Sequence, residues 1–201
     1  MKKIAFLLVA QLIVSGALLN AQKVVIKSGS FDFLKGQKTI LVKYDYSNIA
    51  IGKFEKEDEY VAQKVEDYNK SEAGKGDKWK ESWFNDRPAR FEPKFELLFN
   101  NNMAEHNMTC NKEAKDAKYE VLVHTTFVEP GFNVGVMRKN AYIDATITFK
   151  EIGTGKSMAE VTVENCPGRD VFGYDFDTGL RIEEAYAKMG KSLAALIDKK
   201  L

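Results

Sequence analysis

The sequence predicts a single α+β domain, a mainly antiparallel sheet with helices packed on one face. Three observations predict it. Residues 119–165 hold three successive stretches of strand character that read as a three-strand meander. Residues 54–99 space their apolar side chains by three and four. The chain then ends on an amphipathic helix whose apolar face runs Ile182, Ala185, Tyr186, Met189, Leu193, Leu196 and Ile197. A period of two marks a half-buried strand and a period near 3.6 marks a helix.

The first stretch, MKKIAFLLVAQLIVSGALLNAQ, reads as a secretory signal peptide rather than a fold element. Lys2 and Lys3 form its basic start, and Ile4 to Leu19 is almost wholly apolar. That run is too short and too interrupted for a membrane span. Cleavage is expected after Ala21, leaving 22–201 as one exported domain; Ser15-Gly16-Ala17 is a second fitting point. No Cys stands near either point, so acylation of a new N-terminal Cys is not expected. Export would take two lysines and no acids, so 30 basic side chains become 28 against 29 acidic ones, a net charge of −1. Such a balance offers no electrostatic reason to bind nucleic acid or an anionic membrane. After cleavage no apolar span remains to serve as a membrane anchor.

Val24 to Ile26 suits an edge strand. Thr39 to Tyr46, TILVKYDY, is rich in β-branched and aromatic residues and ends at Ser47-Asn48. IAIGKF can extend the sheet. Phe54, Val61, Val65 and Tyr68 then follow helical spacing. After the Gly-punctuated loop 71–78 come Trp79, Trp83 and Phe84, and beyond Pro88 come Phe91, Phe95, Leu98 and Phe99. Pro88 is expected to separate two helical segments, because proline breaks the helix interior. The polar stretch 100–118 reads as a long loop with room for a helical turn. Tyr119 to Val128 is apolar on both faces and should be a central strand. Ala141 to Lys150 and Ala159 to Glu164 alternate cleanly. Asp177 or Thr178 is expected to cap the last helix.

Gly153-Thr154-Gly155-Lys156-Ser157 ends like a phosphate-binding loop. The full motif needs a glycine at 150, where Lys150 stands, and a helix after the Ser. Period-two alternation follows instead, so this is the tip of a β-hairpin.

The run FVEPGFNVGVMRKNAYIDATITFKEIGTGKSMAEVTVE, with the C-terminal amphipathic helix, resembles uncharacterised envelope lipoprotein families of Gram-negative bacteria. Their presumed fold is similar to the amino-terminal domain of the Tol–Pal translocation protein and to the curli-export lipoprotein. The resemblance covers 119–201. It implies an α/β fold and an envelope compartment, and it brings no catalytic residues. The chain departs from those families in lacking the Cys that would be acylated.

No catalytic residue, cofactor site or metal site is expected. His106 and His124 are far apart, and neither Cys-x-x-Cys nor His-x-x-x-His occurs. His124 reads as a hydrogen-bonded strand residue, and Asp175 and Asp177 as a turn and a helix cap. Cys110 and Cys166 are expected to stay unbridged: the meander puts them at opposite sheet ends, and a disulfide needs Cα atoms within about 7 Å. The segment 129–140 connects two strands yet carries Phe132, Val134, Val136 and Met137 beside Arg138. An ordinary connecting loop is polar. This one is expected either to fold back over the sheet or to meet a partner, packing being the first expectation. The function expected is therefore non-enzymatic: a periplasmic or secreted protein that binds or scaffolds an envelope component, the partner being an envelope protein. Two other readings stay open, a small-ligand binder using the aromatic helices 79–99 and a hydrolase with a site near His124.

Overall fold

The computed structural model describes residues 21–134, 136–169 and 177–201. The signal-peptide reading of residues 1–20 and the turn assigned to Asp175 lie outside the described residues.

In chain order the strands and helices are β1 (Lys23–Gly29), β2 (Thr39–Asp45), β3 (Ala50–Ile51), α1 (Glu57–Ser71), α2 (Lys75–Asp86) and α3 (Glu92–Asn102). Then follow β4 (Thr109–Asn111), β5 (Tyr119–Glu129), β6 (Phe132–Val134), β7 (Met137–Lys139), β8 (Tyr142–Glu151), β9 (Ser157–Pro167) and α4 (Thr178–Asp198). One seven-stranded sheet has the order β1-β9-β8-β5-β2-β4, with β3 also on β5; β6 and β7 form a separate two-stranded sheet. The expected meander is β5-β8-β9, antiparallel throughout, and β1 adds to it antiparallel as the edge. The shorter pairings of β2 with β4 and β5, and of β3 with β5, are parallel. β5 is central, as its apolar content requires.

Alternation decides which face is covered. Ile143, Ala145, Ile147 and Phe149 of β8, with Val161 and Val163 of β9 and Val121 and Val123 of β5, are buried under the helices. Their neighbours His124, Thr146, Thr148 and Thr162 lie half-buried on the opposite face. α4 lies on the covered face with its predicted side, Ile182, Ala185, Tyr186, Met189, Leu193 and Ile197, buried. Phe31 and Phe33 cap the far end of this core on Phe149. At the tip of β8–β9, Gly153 and Gly155 both have positive φ, so the Gly-Thr-Gly-Lys run is a hairpin turn.

Two expectations are corrected. Pro88 does not separate two helices. The chain stays helical from Lys75 to Asn102 through one π-helical turn, Arg87–Phe91. Proline cannot donate to the carbonyl four residues back, and its ring crowds that carbonyl. A wider turn at this point relieves both problems. The stretch 100–118 is also not all loop. Its middle forms β4, whose Cys110 is buried and backbone-bonded to the Asn100 side chain.

Both cysteines are free and buried. β4 and β9 stand four strand positions apart in the sheet, roughly 19 Å at ordinary strand spacing. That separation forbids a bridge.

Candidate functional site: an apolar arm on a buried polar root

Between β5 and β8 the chain leaves the sheet, makes the β6–β7 arm and returns. The arm pairs Phe132 with Lys139, Asn133 with Arg138 and Val134 with Met137. Side chains of directly paired residues share a face. Phe132, Val134 and Met137 therefore lie together on one side, with Val136 at the turn. They are 45%, 45% and 65% exposed, and Val136 is fully exposed. Arg138 is exposed on the other side, where Asn133 is buried. The expectation that this segment folds back over the sheet is thus corrected.

The reason lies at the root. Gly131 has φ +63, and a Cβ there would meet the Lys139 carbonyl oxygen at 2.5 Å and the Ala141 nitrogen at 2.7 Å. Only glycine turns the chain out so tightly. Its N–H donates to Glu129 Oε1 at 3.1 Å. Glu129 is buried, and its other oxygen accepts from Lys139 Nζ at 2.5 Å across the base of the arm. From α4 the buried Arg181 reaches into the same place. Its Nε donates to the Pro130 carbonyl at 3.1 Å, and its Nη2 donates to the Gly131 carbonyl and to Thr178 Oγ1 at 3.3 and 3.0 Å. Burying charged groups costs several kcal/mol each unless geometry and hydrogen bonds compensate. Here Glu129 and Arg181 together fix both strands of the arm to the sheet and to α4.

Neither Glu129 nor Arg181 is marked by the sequence. Glu129 precedes Pro-Gly as many turn residues do, and Arg181 stands in the first turn of a helix without a motif.

The other candidate sites resolve into structural roles. His124 Nε2 lies 2.9 Å from the Ser47 carbonyl oxygen and 4.0 Å from Asp45 Oδ2. Neither a Ser nor a Cys side chain is bonded to its ring among the described residues. His106 Nε2 lies 2.7 Å from Asp198 Oδ1 and ties the polar connection to the end of α4. Asp177 accepts from the Leu180 N–H at 2.9 Å, which is the expected cap, and both its oxygens accept from Arg90. Partial burial pushes Asp177 up, but the Leu180 N–H and Arg90 outweigh it and hold the carboxyl below its ordinary value.

The aromatic helices mostly pack on themselves. Trp79 and Trp83 stack at 5.5 Å, with Tyr60 against both and Tyr68 against Trp79. The Trp83 indole N–H donates to Glu57, which also takes Arg87. An open cleft of 560 Å³ lies beside them, lined by Trp79, Ser82, Asp86, Arg90 and Asp177 among others. Its charges answer one another: Arg90 pairs with Asp86 at 3.1 Å and with Asp177 at 2.9 Å. Burial raises the Asp86 carboxyl above its ordinary value.

Among the described residues no group of three His, Cys, Asp or Glu side chains is placed to hold a metal. No helix among them is long and apolar enough to cross a membrane.

No family model and no curated protein matches the chain. Among solved structures it is similar to a PelC dodecamer from Paraburkholderia phytofirmans, with 14% identity and a TM-score of 0.37 over 87% of this chain and 98% of that one. A variant of that PelC dodecamer gives 12% identity and a TM-score of 0.35 over 85% and 98%. TM-scores this low do not establish a shared fold.

Proposed function

We propose that the protein is an exported, non-enzymatic component of the bacterial envelope that docks a partner through the β6–β7 arm. One observation carries this reading: four apolar side chains are displayed on an arm whose root is fixed by buried charges. A connection with no role beyond joining β5 to β8 needs neither feature. Surface loops ordinarily carry polar side chains, and contiguous exposed apolar patches mark interaction sites. The signal-like first 21 residues and the resemblance of 119–201 to envelope lipoprotein families support the compartment. His124, hydrogen-bonded to backbone, and the two buried thiols offer no activated nucleophile to set against it.

The test is a Val136→Asp, Met137→Asp double variant, expressed from the full chain and followed by cell fractionation. These two side chains are the most exposed of the four, so stability should change by less than about 0.5 kcal/mol. The share recovered with sedimented envelopes should fall sharply. A variant that melts as the wild type does yet stays fully envelope-associated would overturn the docking role.

A further inference from the structure

We propose that the occupant of the arm is a lipid bilayer surface, into which Val136 and its apolar neighbours insert. This rests on the docking role and names its partner. Three features select lipid over a folded protein. The first is size. Four side chains, two of them more than half covered, expose far less than the roughly 800 Å² each partner buries in a standard protein interface. The second is shape. Val136 is fully exposed at the turn of the arm. A fluid acyl layer closes around such a wedge without a matching socket. Each arm strand is three residues long, roughly 10 Å, and interfacial segments bury their apolar face about 5–10 Å deep.

The third feature is charge. Residues 130–140 contain Arg138 and Lys139 and no Asp or Glu. Glu129, the nearest acid in sequence, is buried beneath the arm and paired with Lys139, whose side chain stays 56% exposed. The arm thus carries basic side chains and no acidic one, Arg138 on the face opposite the apolar side chains and Lys139 at the base against Glu129, a local composition that favours anionic headgroups. The mature chain is near neutral, and that balance gives no reason to expect lipid binding. The local composition of the arm does.

The experiment is co-flotation of the purified mature chain with vesicles of phosphatidylethanolamine and phosphatidylglycerol, and with vesicles of phosphatidylcholine alone. The wild type should float with the anionic vesicles and less with the neutral ones. The Val136→Asp, Met137→Asp variant should lose about tenfold or more of that binding, since two inserted side chains become charged. No flotation of the wild type with either vesicle would overturn lipid as the occupant. If the same variant still loses envelope association in cells, the docking role stands and the partner is a protein. Self-association of the wild type in sedimentation, abolished by the variant and accompanied by no flotation, would assign the arm to a second copy of the chain and overturn the lipid proposal.

Discussion

At the scale of single residues, burial fixes the chemistry of the cysteines. Cys166 donates its thiol to the Ala185 carbonyl at 3.1 Å, and burial pushes it up to about 12 from an ordinary 9.0. Burial likewise raises Cys110 well above that value. Thiolates are the reactive form, so both should be inert in the native protein. We expect a thiol reagent at mildly alkaline pH to label neither cysteine in the folded chain and both after unfolding in urea. Native labelling, or a linked peptide pair under non-reducing conditions, would contradict the packing described. The sign of the linkage follows from the raised value. Cys166 stays protonated in the fold while the unfolded chain ionises. Its contribution to stability is therefore fully present below pH 9.0 and is lost as the pH climbs toward 12. The absence of a bridge was legible from topology before the structure, because the meander alone places the two cysteines apart.

Elements differ in how far local sequence declares them. β8 and β9 were readable because Ile143 to Phe149 and Ala159 to Val163 alternate against water on the other face. α4 was readable because its apolar stripe and its cap coincide. β4 was not: three residues in a polar stretch gain strand form only by pairing with β2, about 70 positions away in sequence. The π-helical turn was not readable either, since Pro88 signals a break; the continued helix brings Phe91 to stack on Tyr186 at 5.0 Å. For the arm, the apolar residues were plain and their exposure was not. Exposure is set by Gly131, Glu129 and Arg181, and Arg181 lies 50 positions further on. Replacing Arg181 with Met keeps the volume and removes the donors to the Pro130 and Gly131 carbonyls. Orphaned buried acceptors cost about 1–3 kcal/mol. The variant should be less stable by that amount and melt at a lower temperature, and hydrogen exchange should quicken in 130–140 more than in β8. Unchanged exchange in the arm would show that Arg181 does not hold it.

For the whole molecule, the division of labour follows from the two-layer build. The helices cover one face of the sheet and make the core, where truncating a fully buried side chain such as Ile147 would cost about 2–5 kcal/mol. The arm stands outside that core, so its most exposed residues, Val136 and Met137, add little to stability and are available for contact. The sequence-level functional reading singled out this segment from its composition alone. It favoured packing over display, because nothing local distinguishes the two. The central claim is that the arm of the folded protein touches the envelope, and site-specific photocrosslinking in living cells tests it most directly. A photoreactive residue at Val136 should capture envelope protein or lipid. The same residue at Lys115, exposed near the start of β5 and so at its opposite end, should capture far less. Equal capture from both positions, or none from Val136, would contradict the account.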